Sequence, residues 1–534
     1  MSNQAPIVES ERKSSIEHAS TISKVGCMER INKRNTSELV LAFCGPLGSG
    51  YKDVAQIAKA ILHSFGYDTE YVSMRSIIEE NAITENFKDK FDRASAADKI
   101  NLLQNEGNVL RTRFGHEILS LYAIRDIAYK RKIYNEGKGV AGDRSEHQEP
   151  RRVVTIVESL KHPKEVELLR IVYGEMFYLF GVLCPEGIRE KRLCKSDGRR
   201  DAIRKEEASR LIARDRSEDD KCGQQLIKTL HQSDFFVRNI DETDESARKS
   251  VQRYLELVLG QNKYTPTIAE YAMFSAYSAA LRSGCISRQV GSCIVNKHGD
   301  IVSTGRNDVP KYGGGLYTCD DKDDLRCFNR SGKMCMSSAY RDGIMNDIAT
   351  VLRENSSITI DMEQAKKLAA TVVDKTRVGS LIEFSRAIHA EMDAIVSAAR
   401  RGVSVCGCSM YCTTFPCHNC ARHIVASGID EIYYIEPYEK SLAFDLHDDS
   451  IELDPDNPKS EIERVKILPF EGVAPRVYME LFLADDRKEG GRIREIDLFS
   501  AKPVVKKYMD SFIDYELKVV EVLGEIEEAM KAMT

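Results

Sequence analysis

The sequence predicts an α/β protein of two domains in tandem, a parallel-sheet domain followed by an α/β/α sandwich that holds a metal. Three stretches predict it. Leu39-Val40-Leu41-Ala42-Phe43 is a short apolar run that leads straight into Gly45-Pro46-Leu47-Gly48-Ser49-Gly50 and then into a helical pattern. That is a strand, a tight loop and a helix. Val153–Val157 and Met176–Val182 repeat the apolar run, as strands of a buried parallel sheet do. His389-Ala390-Glu391 and Pro416-Cys417-His418-Asn419-Cys420 stand on either side of a helix tail and a strand.

A chain of 534 residues has room for two or three cores. Its net charge is −6, and the basic clusters Lys130-Arg131-Lys132 and Arg199-Arg200 are short and lie among acids. That argues against long nucleic acid as a partner, because such affinity comes mostly from neutralised phosphates. There is no early apolar segment and no apolar run of transmembrane length, so a cytoplasmic protein with no membrane partner is expected. In that compartment fifteen cysteines read as thiols and metal ligands rather than as a disulfide framework.

In chain order, residues 1–36 are polar and without periodicity, and a disordered arm is expected there. The first domain is expected over 37–260. After its Gly-rich loop, Val54, Ile57, Ala58, Ile61 and Leu62 share one helix face. Consecutive backbone N–H groups and a helix N-terminus both favour an anion, so Gly45, Gly48, Ser49, Gly50 and Lys52 are candidate nucleotide-binding residues. A Walker A loop has Lys and then Ser or Thr directly after its last Gly. Here those places hold Tyr51 and Lys52, and the hydroxyl that ligates Mg²⁺ is missing unless Ser49 replaces it. A plain strand–turn–helix corner is the alternative.

Strand 153–157 ends at Glu158, and the helix after strand 176–182 carries Arg189 and Arg192, with Arg214 further on. Over about 40–260 this succession resembles nucleoside-monophosphate-kinase-like P-loop proteins. The resemblance implies a bound nucleoside triphosphate, Glu158 beside Mg²⁺, and Arg189, Arg192 and Arg214 as phosphate clamps. With the lysine displaced, binding is favoured over phosphoryl transfer, which depends on positioning and charge neutralisation.

A linker at 260–268 leads to a second domain expected over 265–500. It opens with a helix in which Met273, Tyr277 and Leu281 share a face, followed by strands at 287–295 and 300–307. An insertion spans about 316–385. Cys319, Cys327 and Cys335 stand in it at equal intervals and are candidate ligands of a second, structural zinc. Three unconnected thiols is the other reading, since a structural site needs four protein ligands. Phe384–Arg401 leads into a helix, Val405–Thr414 is a strand, Cys417–Ser427 a helix and Glu431–Glu436 a strand. Strand–strand–helix–strand–helix–strand makes a three-layer sandwich. The tail 501–534 reads as one helix with Val505, Met509, Phe512, Val519, Leu523, Ile526 and Met530 on a seam and Glu516 as its polar break. It either docks on the protein's own core or forms an intermolecular coiled coil.

The chemistry is carried by His389, Cys417 and Cys420. One imidazole nitrogen and two thiolates fill three tetrahedral places of a zinc ion and leave the fourth for water. Glu391 is not a ligand but stands beside that water to move protons. A structural zinc knuckle needs a fourth protein ligand and leaves Glu391 without a purpose. The order His-x-Glu, strand, Pro-Cys-x-x-Cys is that of the zinc-dependent nucleobase deaminases.

Over about 265–450 the chain resembles deoxycytidylate deaminases. The likeness includes Cys285-Ile286-Ser287-Arg288-Gln289-Val290-Gly291 and the turn Thr304-Gly305-Arg306-Asn307, where Arg306 and Asp308 depart from the family's pattern. It implies Asn307 on the sugar, Tyr434 along the base pocket and Arg288 at the phosphate.

The pairing of the two domains resembles the bacterial anti-phage dCTP deaminases, as do Glu436-Pro437-Tyr438-Glu439-Lys440-Ser441 and Leu446-His447-Asp448-Asp449-Ser450-Ile451. That implies conversion of dCTP and dCMP to the uracil forms as antiviral defence, gating by the N-terminal nucleotide-binding domain, and an inhibitory small RNA. A homo-oligomer is also expected. Editing of RNA or single-stranded DNA, and a bifunctional nucleotide kinase–deaminase, remain the alternative functions.

Overall fold

Apolar runs without a polar face need cover on both sides, and the first sheet of the protein supplies it. The computed structural model describes residues 27–138, 150–195, 203–216, 225–240, 245–355, 360–376, 378, 384–438, 441–453, 463–483 and 487–533. Its contacts form two units, residues up to Tyr264 together with those from Glu480 onward, and Thr265–Met479.

The first unit contains β1 (Leu39–Cys44), α1 (Tyr51–Ser64), β2 (Asp68–Ser73), α2 (Ala96–Phe114), α3 (Ile118–Gly137) and β3 (Val153–Glu158). Then come α4 (Pro163–Tyr173), β4 (Phe177–Leu183), α5 (Glu186–Cys194), α6 (Lys205–Arg216), β5 (Phe235–Arg238) and α7 (Glu245–Val258). The strands pair in the order β2-β3-β1-β4-β5, all parallel. β1, β3 and β4 are buried at every position, which explains their unbroken apolar runs. β1 lies between β3 and β4, so the Gly-rich loop leaves the sheet at its centre. α1 buries Val54, Ile57, Ala58, Ile61 and Leu62, the face expected of it.

The expected tail helix begins only at Met509 and runs to Met533. Met509, Phe512, Ile513, Val519 and Leu523 belong to the core of the first unit, so the helix docks on the chain itself. Residues from Glu480 return to that unit, whereas the second domain was expected to extend to 500. Of the arm at 1–36, Cys27–Lys33 is helical rather than disordered, and residues 1–26 lie outside the described residues.

The second unit contains α8 (Ile268–Leu281), β6 (Gly291–Val295), β7 (Ile301–Arg306), α9 (Met336–Asn355), α10 (Met362–Lys375) and α11 (Ala390–Arg400). It continues with β8 (Ser409–Thr414), α12 (His418–Ser427), β9 (Glu431–Glu436), β10 (Ile451–Glu452) and β11 (Val465–Pro469). Its strand order is β10-β11-β9-β8-β6-β7. β6 is antiparallel to both β7 and β8, and the other pairs are parallel.

Two glycines prove the layering. A Cβ on Gly291 would collide with Ala276 of α8, and one on Gly305 would collide with Ala390 and Ala394 of α11. Gly305 pairs with Ser292, the neighbour of Gly291. Since successive strand residues face opposite sides, α8 and α11 cover opposite faces.

Close approach at Gly291 also corrects the expected face of α8. Met273 is buried, but Tyr277 and Leu281 are 36% and 60% exposed. The buried face is Ala272, Met273, Ala276, Ala279 and Ala280, small enough for the strand to sit on. Within the insertion, α9 and α10 pack on each other through Ala349, Ala365 and Ala369. β6 starts at Gly291 rather than at 287, and β8 at Ser409 rather than at 405. No helix among the described residues is long and apolar enough to cross a membrane.

Candidate active site

His389 closes an extended segment, where Ile388 N–H donates to the Asp308 carbonyl at 3.0 Å. It is the N-cap of α11, with φ −78° and ψ 156°. The Asp393 carboxylate accepts from Arg306 N–H at 3.0 Å and fastens the first turn of α11 to the end of β7. Gly305 leaves room for that turn. On the other side Cys417 is the N-cap of α12 and Cys420 lies in its first turn. Both thiols thus meet the positive end of a helix, which favours thiolate.

The His389 Nδ1 atom lies 3.3 Å from each of the two Sγ atoms. The three ligand atoms fall within 4.8 Å of one another, and among the described residues no other set of His, Cys, Asp or Glu ligand atoms does so. The Cys420 hydrogen bond, against the cost of burial, holds the Cys417 thiol well below the usual range, while the Cys420 thiol is pushed up by the same bond. The hydrogen bond to Cys417 raises His389. This donor set suits zinc: one imidazole and two sulfurs, with one tetrahedral place left over.

Glu391 is buried in the first turn of α11. Burial raises its carboxyl above the ordinary carboxylate range, and the charge of Cys417 adds to that. His389, Glu391 and Cys417 line one cavity of about 380 Å³.

Residues 266–436 match the cytidine and deoxycytidylate deaminase zinc-binding region. The deoxycytidylate deaminase of Enterobacteria phage T2 is 31% identical over 169 residues, 31% of this chain and 78% of the phage protein. The chain belongs to the cytidine and deoxycytidylate deaminase family. The T4 phage deoxycytidylate deaminase is 29% identical over 31% of this chain and 76% of its own length. A crystal structure of shikimate kinase from Bacteroides thetaiotaomicron is 12% identical, covering 41% of this chain and 98% of that one, at a TM-score of 0.23. A score that low carries no weight, and the first unit's fold stands on its own strand order.

In this deaminase unit the other expected site residues are distributed unevenly. Asn307 lines the cavity, but its amide holds the loop before β6: Nδ2 donates to Arg288 O at 2.6 Å and Oδ1 accepts from Val290 N–H at 2.7 Å. Arg288 lines the cavity and pairs with Glu436. Tyr434 is not among the lining residues. It stands behind Phe415, edge-on at 5.0 Å between ring centroids, and Phe415 and Tyr438 are the aromatic walls. Strand β9 explains this, because it ends at Glu436 and only the chain beyond it turns toward the cavity. Tyr438 was visible in Glu436-Pro437-Tyr438 but carried no spacing signal of its own.

Arg341 and Arg386 also line the cavity, and nothing in the sequence singled them out. Arg386 donates to Leu325 O at 3.0 Å, whereas Arg341 has no ion-pair or hydrogen-bond partner among the described residues.

Cys319, Cys327 and Cys335 do not form a metal-ligand set. Cys327 and Cys335 line the cavity, and Cys335 is hydrogen-bonded with Ser287 at 3.3 Å. Cys319 is exposed in the turn that Asp321 fixes by accepting from Thr318 N–H at 2.7 Å.

In the first unit Gly48 and Gly50 have φ of +82° and +76°, which only glycine adopts without strain. Gly45 is packed against Ser49 and Val182. Lys52 turns away to Glu158, Nζ to Oε2 at 3.8 Å, so the acid expected beside Mg²⁺ faces an ammonium. Arg192 donates to Ser49 O at 3.0 Å, Arg189 to Cys184 O at 3.2 Å, and Arg214 to Asn101 and Asn105. Of the three expected clamps Arg192 hydrogen-bonds the loop, and Arg189 packs its backbone and Cβ against Gly48.

Proposed function

We propose that this chain is a zinc-dependent deaminase of free deoxycytidine nucleotides, converting dCTP and dCMP to dUTP and dUMP. The observation that carries it is the convergence of His389, Cys417 and Cys420 beside buried Glu391 on one cavity. A zinc ion held by those three side chains supplies a Lewis acid and a water of lowered pKa. Glu391 takes the water's proton and returns protons to ring N3 and to the amine at C4. The C4–N bond breaks, a C4=O bond forms, and ammonia leaves. Phe415 and Tyr438 flank the base. Asn307 fixes the 288–290 loop and keeps one amide hydrogen for the sugar. Arg341 and Arg386 offer guanidinium groups for the phosphates, which match phosphate oxygens in geometry.

The named relatives in phages T4 and T2 are deoxycytidylate deaminases, which supports the substrate class. Action on dCTP would draw down a precursor of phage DNA, and the first unit would gate it by binding a nucleotide.

The test is ammonia release by the purified chain from dCMP, dCTP, CMP and CTP, with and without ATP. Release from both deoxy forms and little from the ribo forms is expected. Release from none of the four, with zinc bound, would overturn the proposal.

A further inference from the structure

The Gly-rich loop of the first unit already carries an anion, and it is the protein's own. The Asp215 carboxylate on α6 accepts from the Leu47 backbone N–H at 2.6 Å through Oδ2. Through Oδ1 it accepts from Lys161 Nζ at 2.8 Å. The same ammonium donates to Gly45 O at 3.0 Å. Asp215 and Lys161 are both buried. Loop amide and buried ammonium are what a phosphate oxygen meets in a loop of this kind.

A second observation points to a ligand. Ser49 Oγ is fully buried and has no hydrogen-bond partner among the described residues. It sits inside the loop, 2.5 Å from where a Cβ on Gly45 would stand. A buried hydroxyl left unpaired costs stability, and a phosphate oxygen in the loop would satisfy it. α1, which starts directly after the loop, has 14 residues and contributes its N-terminus.

We infer that this loop is a phosphate site whose cation is Lys161, not Lys52, and whose occupant in this structure is Asp215, so that phosphate binds by displacing that side chain. Lys52 is committed to Glu158. Lys161 comes from the turn after β3 and reaches the loop from the neighbouring strand. The displaced lysine of the sequence motif is thereby replaced from elsewhere in the fold. Self-occupation weakens the apparent affinity for phosphate by the fraction of molecules in which Asp215 has left. The inference deepens the gating half of the proposed function, and its test reads binding rather than turnover, so failure of either is distinguishable from failure of the other.

The experiment is calorimetric titration of the full chain with inorganic phosphate, repeated with ATP. Asp215→Asn keeps the size of the side chain and removes its charge, and it is expected to bind phosphate about ten-fold more tightly than the parent. Adding Lys161→Met to that variant should abolish the gain, whereas adding Lys52→Met should leave it within about two-fold. If Asp215→Asn does not fold, the parent serves: its weaker binding should be lost in Lys161→Met and kept in Lys52→Met. The same order with ATP identifies the phosphate as a nucleotide's, and the order with inorganic phosphate alone identifies a free one. Equal or weaker binding by Asp215→Asn, or dependence on Lys52 instead of Lys161, overturns the inference.

Discussion

Glu391 and Arg341 separate the two things the cavity must do, move protons and hold a charged substrate. Glu391→Gln keeps the shape and loses the acid, so deamination of dCMP should fall by roughly 10³-fold, within the range for a lost general acid–base. His389, Cys417 and Cys420 are untouched by that change, and zinc content by elemental analysis should stay at the parent's level. Normal turnover in that variant would sink the role given to Glu391. Arg341 predicts a different signature. Its guanidinium is uncommitted among the described residues, and a charge-assisted hydrogen bond to phosphate contributes about 1.5–3 kcal/mol. Arg341→Ala should raise the KM for dCTP about ten-fold, and the KM for dCMP by less. Equal effects on the two would mean that Arg341 does not reach the outer phosphates. The zinc residues were legible in the sequence because their spacing is short and chemical. Arg341 was not, because a lone arginine within an insertion carries no spacing signal. Tyr434 shows the limit of carrying a role by position, since it stands behind Phe415 and does not line the cavity.

At the scale of elements the C-terminal helix is the instructive case. Its heptad-like seam was plain in the sequence, but a seam does not name its partner, and the partner is the face of α3 and α4. Glu516, read as the polar break in that seam, explains the choice. Its carboxylate meets Arg131 of α3 and accepts from Tyr173 OH of α4 at 2.8 Å. Arg131 also holds Glu38 at 2.9 Å, so one buried guanidinium joins two segments distant in sequence. Removing one member of a buried, hydrogen-bonded ion pair typically costs about 3–5 kcal/mol. Glu516→Ala should therefore destabilise the first unit by about 3 kcal/mol, the low end, because Glu38 still neutralises Arg131. Urea unfolding followed by far-ultraviolet circular dichroism measures it. A loss under 1 kcal/mol would show that the network contributes little. The strands were legible for the opposite reason: continuous apolar runs and parallel burial are the same statement. Helix α8 departs from its expected face because the buried face is alanine, which periodicity counts weigh lightly, and what selects alanine there is the close approach of Gly291 on the strand that follows.

For the whole molecule, the contacts divide the chain after Tyr264 and again after Met479. Beyond that the chain's return to the first unit is a tertiary fact with no local mark. What the whole chain does state is its charge. A net charge of −6 and the absence of a long basic run in the sequence argue against binding through a series of neutralised phosphates. Three guanidinium groups, those of Arg288, Arg341 and Arg386, line the cavity. The family alone does not decide between free nucleotides and nucleic acid, since nucleobase deaminases act on both. The charge argument therefore predicts the outcome of a competition. Given equal cytosine as dCTP and as a single-stranded oligonucleotide at 150 mM salt, the chain should release ammonia from dCTP at least about 10²-fold faster. Lowering the salt should narrow that gap little, because few counterions are released on binding one nucleotide. An oligonucleotide rate that equals the dCTP rate, or climbs steeply as salt falls, would reveal a polyanion track and return the editing function to first place.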